Sequence, residues 1–247
     1  MSNFTGKTAL ITGSTSGIGR GIADKLAAAG ARVLITGRDV ERGQNAVAEI
    51  RAAGGKADFI AADLHDAASA KALAAEAVAL AGEVDILVNN AGVFILGPTA
   101  ALTEADFDAT YNINVKAPYF LVAALAPAMA ERGHGAIINI TTAFAEKGAV
   151  GPAIYGSSKA AVGLLTKSWA AEFGPSGVRV NEVSPGAVLT EGTQRVFGEA
   201  VHGFSKGTPA DRVGTPAEIA AAVVFLASDE ASYIHGASVA VDGGMAI

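Results

Sequence analysis

The sequence has no cysteine and no cluster of metal-ligating side chains. The absence of cysteine excludes disulfide bonds and thiolate-bound metals. The four histidines, His65, His134, His202 and His235, do not show the spacing of a metal site. Lys and Arg are scattered and the net charge is −6, which argues against a nucleic-acid partner. We therefore expect chemistry that uses neither a metal nor a nucleic acid.

Signals for secretion or membrane insertion are also lacking. The first seven residues have neither the basic nor the apolar region of a signal peptide. The longest apolar stretch, residues 117–130, is too short to cross a bilayer and contains two prolines. We expect a cytoplasmic protein without a membrane partner, in which this stretch is a buried helix.

Nothing in the composition divides the 247 residues into parts. The sequence has no Pro/Ser-rich linker, charge block or short-period repeat, and 51% of its residues are hydrophobic, enough for a large core. We predict a single domain over residues 1–247.

Short apolar runs alternate with segments of helical periodicity, such as residues 18–29. Strands are predicted at residues 8–12, 32–36, 57–61, 84–88, 136–141, 178–183 and 238–241. Strands joined by helices pair in parallel, so the pattern predicts an α/β protein with a doubly wound parallel sheet of about seven strands between two helix layers. Ligands of such sheets bind at the carboxyl ends of the strands.

A glycine-rich loop follows the first predicted strand. Gly13, Gly17 and Gly19 lie between this strand and a helix, where backbone N–H groups and the helix N-terminus suit a pyrophosphate. The spacing differs from G-x-G-x-x-G, so the strand–loop–helix context carries the prediction of a dinucleotide site. A glycine-rich turn that merely connects two elements is the alternative.

The second strand ends at Gly37, Arg38 and Asp39. An acidic residue at the strand end would bind the ribose hydroxyls and repel a 2′-phosphate, but Gly37 has this place and Arg38 follows it. This order favours NADP(H) over NAD(H). Two alternatives stay open: Asp39 turns inward and reads the ribose, or Arg38 is an ordinary surface charge.

Polar residues also follow the next two strands. Asp63, followed by Leu64, is placed to accept a hydrogen bond from the adenine amino group. In Asn89-Asn90-Ala91-Gly92, the small Ala-Gly turn would let the ribose lie against backbone. We interpret Asn89 as structural, because its amide can tie strands and turns together.

Tyr155 and Lys159 lie four residues apart at the predicted start of a helix, so they share one face. A free tyrosine has a pKa of roughly 10, and a nearby ammonium favours the phenolate. We therefore expect Lys159 to lower the pKa of Tyr155 so that the phenol exchanges protons near neutrality. The hydroxyl of Thr142, thirteen residues earlier, is placed to hydrogen-bond the same substrate oxygen.

The sixth strand ends at Pro185-Gly186, where a turn would place backbone beside a flat ring and Thr190 could hold a carboxamide. Residues 188–212 then show weak periodicity, which predicts a mobile lid. Our predicted pocket-lining residues are Val93, Phe94, Phe144, Phe197 and Phe204, which indicate a mostly apolar ketone or alcohol as substrate. Packing contacts of an ordinary loop are the alternative explanation of these aromatics.

Taken together, these residues resemble the short-chain dehydrogenase/reductase family over roughly residues 7–244. The motifs are Thr12-Gly13-xxx-Gly17-x-Gly19, Asn89-Asn90-Ala91-Gly92, Asn114 in Asn-Val-Lys, Tyr155-xxx-Lys159, Pro185-Gly186 with Thr190, and Val241-Asp242-Gly243-Gly244. The resemblance implies a Rossmann-type fold, a nicotinamide cofactor, and hydride transfer between that cofactor and a carbonyl or secondary alcohol.

The resemblance also implies a role for each matched residue. Tyr155 would be the general acid in reduction and the base in oxidation, while Lys159 would lower its pKa and hold the nicotinamide ribose. Asn114 would position a water that links Lys159 to solvent. The implied cofactor-binding residues are Gly13, Thr15, Ser16, Gly17, Ile18, Gly19, Arg38, Asp63, Leu64, Asn90, Ala91, Gly92, Tyr155, Lys159, Pro185, Gly186, Val188 and Thr190.

Two residues depart from the family pattern. Thr142 stands where the family has serine. Threonine keeps the hydroxyl, but its extra methyl group narrows the pocket. Ala145 stands where the family commonly has glycine, so we expect a stiffer loop. A non-catalytic nucleotide-binding regulator on the same fold is the alternative function, although retention of Tyr155, Lys159 and Asn114 weighs against it.

The predicted helices at residues 117–129 and 160–173 are apolar almost all round, more than one buried stripe requires. Family members typically pair these helices with their copies in a neighbouring subunit, and pair the last strand region across a second interface. We therefore expect a homotetramer, or at least a dimer.

Overall fold

The structure is a computed structural model that describes residues 3–247. Its seven strands are β1 (Thr8–Ile11), β2 (Arg32–Gly37), β3 (Lys56–Ala61), β4 (Ile86–Asn89), β5 (Gly135–Ile140), β6 (Val178–Pro185) and β7 (Ser238–Val241). They form one sheet in the order β3-β2-β1-β4-β5-β6-β7, and every neighbouring pair is parallel. The predicted doubly wound parallel sheet is confirmed.

Eight α-helices connect and cover the strands. They are α1 (Gly17–Ala28), α2 (Val40–Ala52), α3 (Ala67–Ala81), α4 (Glu104–Tyr111), α5 (Ala117–Arg132), α6 (Ala153–Phe173), α7 (Glu191–Phe197) and α8 (Pro216–Ala227). A π-helical turn, Asn112–Lys116, joins α4 to α5. Helix α6 begins at Ala153, so its first turn includes Tyr155, as the sequence predicts.

Each face of the sheet has its own apolar core. One core packs buried residues of α1, α2 and α8, such as Leu26, Ile50 and Val223, against the sheet. The other packs residues of α3, α5 and α6, such as Leu121 and Trp169, against the opposite face. The molecule therefore has the predicted three layers, with strands buried on both sides.

The apolar stretch around α5 is a core helix. The continuous helical run Glu104–Arg132 is long and apolar enough to cross a membrane by length and composition alone. In the structure, however, Leu121, Val122, Leu125 and Met129 are buried in the second core. Burial against the sheet accounts for its hydrophobicity, as the sequence predicts.

The strand order reverses between β1 and β4. The connections that leave these two strands run to opposite sides, so a crevice opens at their carboxyl ends. The side chain of Asn90, just after β4, donates to the carbonyl of Gly13, just after β1, at 3.0 Å. Both predicted cofactor motifs therefore meet at this crevice.

Candidate active site

The glycine-rich loop after β1 has the conformation that a dinucleotide cradle needs. Gly13 and Gly17 have φ angles of +63° and +58°, which favour glycine. A Cβ on Gly13 would lie 3.0 Å from the Cα of Ala91, and one on Gly19 would clash with the Gly13 carbonyl. Ser16 begins α1 without a side-chain cap, so the first N–H groups of the helix are available to a phosphate.

Asn90 braces this loop. Its side-chain amide donates to the carbonyl oxygens of Thr12, at 2.8 Å, and Gly13. The backbone N–H groups of Asn90 and Ala91 both donate to the Thr12 hydroxyl at 2.9 Å. The structure thus places the predicted binding residues Asn90 and Ala91 where they shape the loop.

Asn89 has the structural position that the sequence predicts. It is buried, and its amide donates to the Asn139 side chain on β5 at 2.8 Å. The Thr141 hydroxyl is likewise engaged with the backbone, since it donates to the carbonyl of Val183 at 3.2 Å. Of the two adjacent threonines, Thr142 is therefore the one available to a ligand.

A cavity of about 620 Å³ opens at the carboxyl ends of the strands. Its lining includes the predicted site residues Ile18, Asn90, Gly92, Thr142, Tyr155, Lys159, Pro185, Gly186, Val188 and Thr190. An adjoining groove is lined by Thr15, Ser16 and Gly17, and Thr190 borders both spaces. A dinucleotide that extends from the glycine loop towards Tyr155 fits this continuous arrangement.

Tyr155 and Lys159 occupy successive turns at the start of α6. Lys159 is 4% exposed, and its ammonium donates to the carbonyl of Ile140 at the end of β5, at 2.8 Å. A Cβ on Gly92 would lie 3.4 Å from the Lys159 nitrogen, so glycine keeps the space in front of the ammonium open. The last carbonyl of β5 therefore positions the lysine, and the loop after β4 leaves space for it.

The expected lowering of the Tyr155 pKa is wrong for this structure. Burial raises the pKa of Tyr155 to about 12, and a hydrogen bond with the Thr142 side chain opposes this effect only in part. Burial also lowers the pKa of Lys159 to about 8, although the charge of Glu182 acts in the opposite direction. The Lys159 ammonium donates to the Ile140 carbonyl. Desolvation of the phenol is therefore the largest influence on the pKa of Tyr155.

Asn114 lies in the π-helical turn and is fully buried. Its side chain accepts from the backbone N–H of Val93 at 2.9 Å and donates to the carbonyl of Val93 and the hydroxyl of Ser158. The amide thereby ties the loop after β4 to α6. Its implied role with a water stays a prediction.

The two residues that follow β2, Arg38 and Asp39, have different surroundings. Asp39 caps α2, where its carboxylate accepts from the N–H of Arg42 at 3.0 Å. Arg38 is exposed, and in the described part of the chain it forms no ion pair. Arg42 itself pairs with Glu191 at the start of α7. The acidic residue is thus engaged in the helix cap, and the neighbouring cation is available.

Some predicted cofactor residues do not border the cavity. Asp63 is exposed, and Leu64 is buried in the second core. Neither they nor Arg38 line the cavity around Tyr155. These residues lie after β2 and β3, and their proposed contacts are with the distant adenosine end of the cofactor.

The segment predicted as a lid is more regular than its sequence indicates. It contains α7 and then 3₁₀ turns over Gly198–Ser205. Thr190 and Thr193 form a capping box that starts α7. The capping signal explains why a short helix forms where apolar periodicity is weak.

Aromatic rings connect this segment to Tyr155. Phe94 packs edge-on against Tyr155 with ring centroids 4.5 Å apart, Phe197 packs against Phe94 at 5.6 Å, and Phe204 against Phe197 at 4.9 Å. All five predicted pocket residues line the cavity. The lining also includes residues that belong to no recognisable motif and that the sequence therefore did not predict: Leu96, Ala149, Val150, Val196, Val201 and Met245.

Known proteins resemble this chain over almost its whole length. A family model described as "Enoyl-(Acyl carrier protein) reductase" matches residues 13–246. D-threitol dehydrogenase from Mycolicibacterium smegmatis is 41% identical over 243 residues, which cover 98% of this chain and 94% of the relative. The chain belongs to the short-chain dehydrogenase/reductase family. Cyclopentanol dehydrogenase from Comamonas sp. is 35% identical, with 99% and 98% covered.

Solved structures of short-chain dehydrogenase/reductases have the same fold. One, described as a short chain dehydrogenase/reductase family protein, has a TM-score of 0.92 and 49% identity, with 99% of both chains covered. Another, a blue fluorescent protein from a metagenomic library in complex with NADPH, has a TM-score of 0.91 and 36% identity, with 99% and 100% covered. The chain is thus an NAD(P)-binding oxidoreductase of the alcohol and carbonyl type.

Proposed function

We propose that this short-chain dehydrogenase/reductase is an NADP(H)-dependent enzyme that interconverts a ketone and a secondary alcohol in a small, mostly apolar substrate. The observation that carries the proposal is the cavity of about 620 Å³ in which Tyr155, Thr142 and Lys159 converge within a mostly apolar lining. Such a cavity, with a few convergent polar groups, suits a small substrate whose one polar atom faces those groups.

In the reducing direction, Tyr155 donates its phenolic proton to the carbonyl oxygen. The nicotinamide, when bound, supplies the hydride that the carbonyl carbon receives. Thr142 donates a hydrogen bond to the same oxygen and stabilises the charge that develops on it. The raised pKa of Tyr155 keeps the phenol protonated at neutral pH, which favours its role as the acid.

Lys159 holds positive charge beside the phenol and the proposed nicotinamide ribose site. In oxidation, Tyr155 must first lose its proton, and the Lys159 ammonium stabilises the resulting phenolate. Asn114 fixes the loop after β4 against α6 and so keeps Gly92 close to the lysine. We assign to Asn114 the additional role of holding the water that resupplies protons.

The preference for NADP(H) rests on Arg38 and Asp39. A contact between the Asp39 carboxylate and the ribose hydroxyls of NAD(H) would require Asp39 to leave the N-cap of α2, and the loss of this cap costs about 1 kcal/mol. Arg38 is exposed at the end of β2 and can pair with a 2′-phosphate. Similar solved structures include complexes with NADPH and with NADH, so the proposed preference depends on these two residues alone. Asp63 and Leu64 would contact the adenine ring.

The cavity lining favours a neutral substrate. Among the described lining residues, Lys159 is the only one with a charged side chain. A substrate carboxylate or phosphate would therefore find no cation beyond the catalytic lysine. Cyclopentanol dehydrogenase, whose named substrate is a neutral cyclic alcohol, offers a precedent among the relatives. We propose that residues 188–212 act as the lid over this substrate.

We also propose a homotetramer in the cytoplasm, built from one domain per chain. Tyr119 on α5 and Leu164 on α6 are 46% and 67% exposed, and Phe225 on α8 is 41% exposed. Large apolar side chains exposed on two separate helix layers are suited to two kinds of subunit contact.

The decisive experiment is NADPH oxidation in the presence of neutral cyclic and aryl ketones. We expect turnover with at least one ketone, and a loss of about 10²–10⁴ in kcat for Tyr155→Phe. NADPH binding, followed by cofactor fluorescence, should persist in the variant. Tyr233→Phe, at a side chain that is 99% exposed, is the matched control.

Two outcomes would contradict the proposal. Undiminished turnover by Tyr155→Phe would remove the phenol from the mechanism. Tight NADPH binding without turnover of any ketone or alcohol would favour the non-catalytic regulator instead.

A further inference from the structure

Four neighbouring strands carry aligned polar residues. Asn89 on β4 pairs in register with Asn139 on β5, Asn139 with Glu182 on β6, and Glu182 with Ser238 on β7. These residues form a polar row across the sheet, one strand after another. The row is unusual because residues two positions earlier on β5 and β6, Ile137 and Val180, belong to the apolar core.

The two asparagines of the polar row are held by a chain of hydrogen bonds. Asn89 donates to Asn139 at 2.8 Å, and Asn139 donates to the Thr166 hydroxyl on α6 at 2.7 Å. The polar row therefore faces α6. Neutral amides and hydroxyls suffice for these structural contacts.

Glu182 differs from its neighbours in the polar row because it is ionisable. It is 6% exposed, and its Oε2 is buried without a hydrogen-bond partner. A neutral side chain would avoid the desolvation cost of a carboxylate at this position. Packing of the sheet therefore does not explain why an ionisable residue lies at this position.

Glycine on α6 makes room for the Glu182 carboxylate. A Cβ on Gly163 would lie 3.1 Å from Oε2, so the carboxylate occupies the space that a larger side chain would fill. Gly163 follows Lys159 by one helical turn on the same face of α6. Lys159 in turn contacts Ile140, the strand neighbour of Val183. Backbone geometry thus places Glu182 one turn from the catalytic lysine.

The charges that act most strongly on Glu182 come from α6 and from the loop after β5. Lys159 and Lys167 on α6 favour its ionised form, whereas Glu146 opposes it. The hydroxyl of Ser238, the neighbour of Glu182 on β7, donates to Glu146 at 3.1 Å. Burial is the largest influence and raises the pKa of Glu182. The charge of Glu182 in turn raises the pKa of Lys159, against the effect of burial.

We propose that Glu182 is a positioning residue that acts through Lys159: it is the buried counter-ion that keeps the lysine ammonium charged beside the Tyr155 phenol. The proposal deepens the proposed function, on which its catalytic consequence rests. Without the carboxylate, no nearby negative charge opposes the effect of burial on Lys159, so the lysine loses its proton at lower pH. The phenolate would lose its stabilising charge over the same pH range.

The test measures the ionisation of Lys159 directly. Protein labelled with ¹³C at lysine Cε is titrated by NMR, with the Lys159 signal identified by its loss in Lys159→Met. We expect the Lys159 titration midpoint to fall by about one pH unit in Glu182→Gln. Glu172→Gln, at an exposed position on the same helix, should leave the midpoint unchanged.

A second readout uses wild-type protein and keeps the proposal testable if Glu182→Gln does not fold. The Lys159 signal should show an additional, smaller step where Glu182 titrates, because the two charges interact. Equal midpoints in wild type and Glu182→Gln, or no such step in the wild type, would overturn the proposal.

Activity distinguishes failure of this inference from failure of the proposed function. If the enzyme reduces ketones, Glu182→Gln should shift the basic limb of its kcat–pH profile down by about one pH unit, with KM for the ketone little changed. Ketone reduction with an unshifted limb would contradict the role of Glu182 alone. Absence of ketone reduction with a shifted Lys159 midpoint would contradict the proposed function alone.

Discussion

The ring of Phe94 stands perpendicular to that of Tyr155, with centroids 4.5 Å apart and an angle of 89° between the planes. Phe94 therefore forms the wall of the cavity next to Tyr155, and it also contacts Phe197 on α7. The size of this ring limits what can approach the phenol.

Phe94→Ala should change substrate choice more than overall rate. Removal of the ring enlarges the cavity beside Tyr155, so we expect kcat/KM for a bulky aryl ketone to rise relative to that for cyclopentanone by about tenfold, the scale of 1–3 kcal/mol for a change in pocket size. Phe225→Ala, on α8 away from the cavity, is the control. An unchanged ratio would show that Phe94 does not limit the substrate.

Arg38→Ala should weaken NADPH binding selectively. Loss of a charge-assisted hydrogen bond costs about 1.5–3 kcal/mol, so we expect roughly a 10- to 100-fold rise in the Kd for NADPH and little change for NADH. Fluorescence titration with both cofactors measures this. Arg51→Ala, at the exposed far end of α2, should leave both affinities unaltered. Equal losses for both cofactors would contradict recognition of the 2′-phosphate.

Asp39→Ala tests the alternative reading of the same loop. Because Asp39 caps α2, we expect a loss of about 1 kcal/mol in the free energy of unfolding and an unchanged ratio of NADPH to NADH affinity. Chemical denaturation and the same titrations measure the two quantities. A large loss of NADH affinity would identify Asp39 as the ribose ligand.

Asp85 should make stability depend on pH. Burial raises its pKa, but the Thr8 amide, 2.8 Å from Oδ2, and the Lys7 ammonium, 3.1 Å from Oδ1, outweigh burial and hold the pKa below its usual value. A lowered pKa stabilises the fold above the unfolded-state value of about 3.9, and the effect disappears as pH falls through the folded-state value. Asp85→Asn should therefore lower Tm at pH 7 by a few degrees.

The difference between wild type and Asp85→Asn should shrink as the melts are carried from pH 7 towards pH 3. Asp24→Asn, at an exposed ion pair with Arg20, should have little effect at either pH. A constant difference in Tm across this range would exclude the charge of Asp85 as its cause.

Leu164→Glu should disrupt the proposed tetramer. The side chain is 67% exposed on α6, and a carboxylate there would be buried without a partner in a subunit interface. Light scattering after size exclusion should show a smaller assembly than wild type. Val78→Glu on α3, where 43% of the side chain is exposed, serves as control. Wild-type mass for Leu164→Glu would place any interface elsewhere.

The alternation of apolar runs and helical segments was sufficient to predict the sheet. Each strand and most helices depend on side chains within a few residues, as in the run that forms β1 and the glycine loop that precedes α1. The segment around α7 was harder because capping at Thr190, rather than apolar periodicity, starts that helix. Met245 gave no signal at all, since only folding brings the chain's end to the cavity.

The fold class, the motifs at the strand ends and the placement of Tyr155 and Lys159 on one helix face could all be predicted from the sequence. These features follow from spacing along the chain. The electrostatics of the site could not be predicted in this way, because burial and contacts between distant strands depend on how the chain packs. Burial raises the pKa of the Tyr155 phenol, Asp39 caps α2, and Glu182 lies beside Gly163, one helical turn from Lys159.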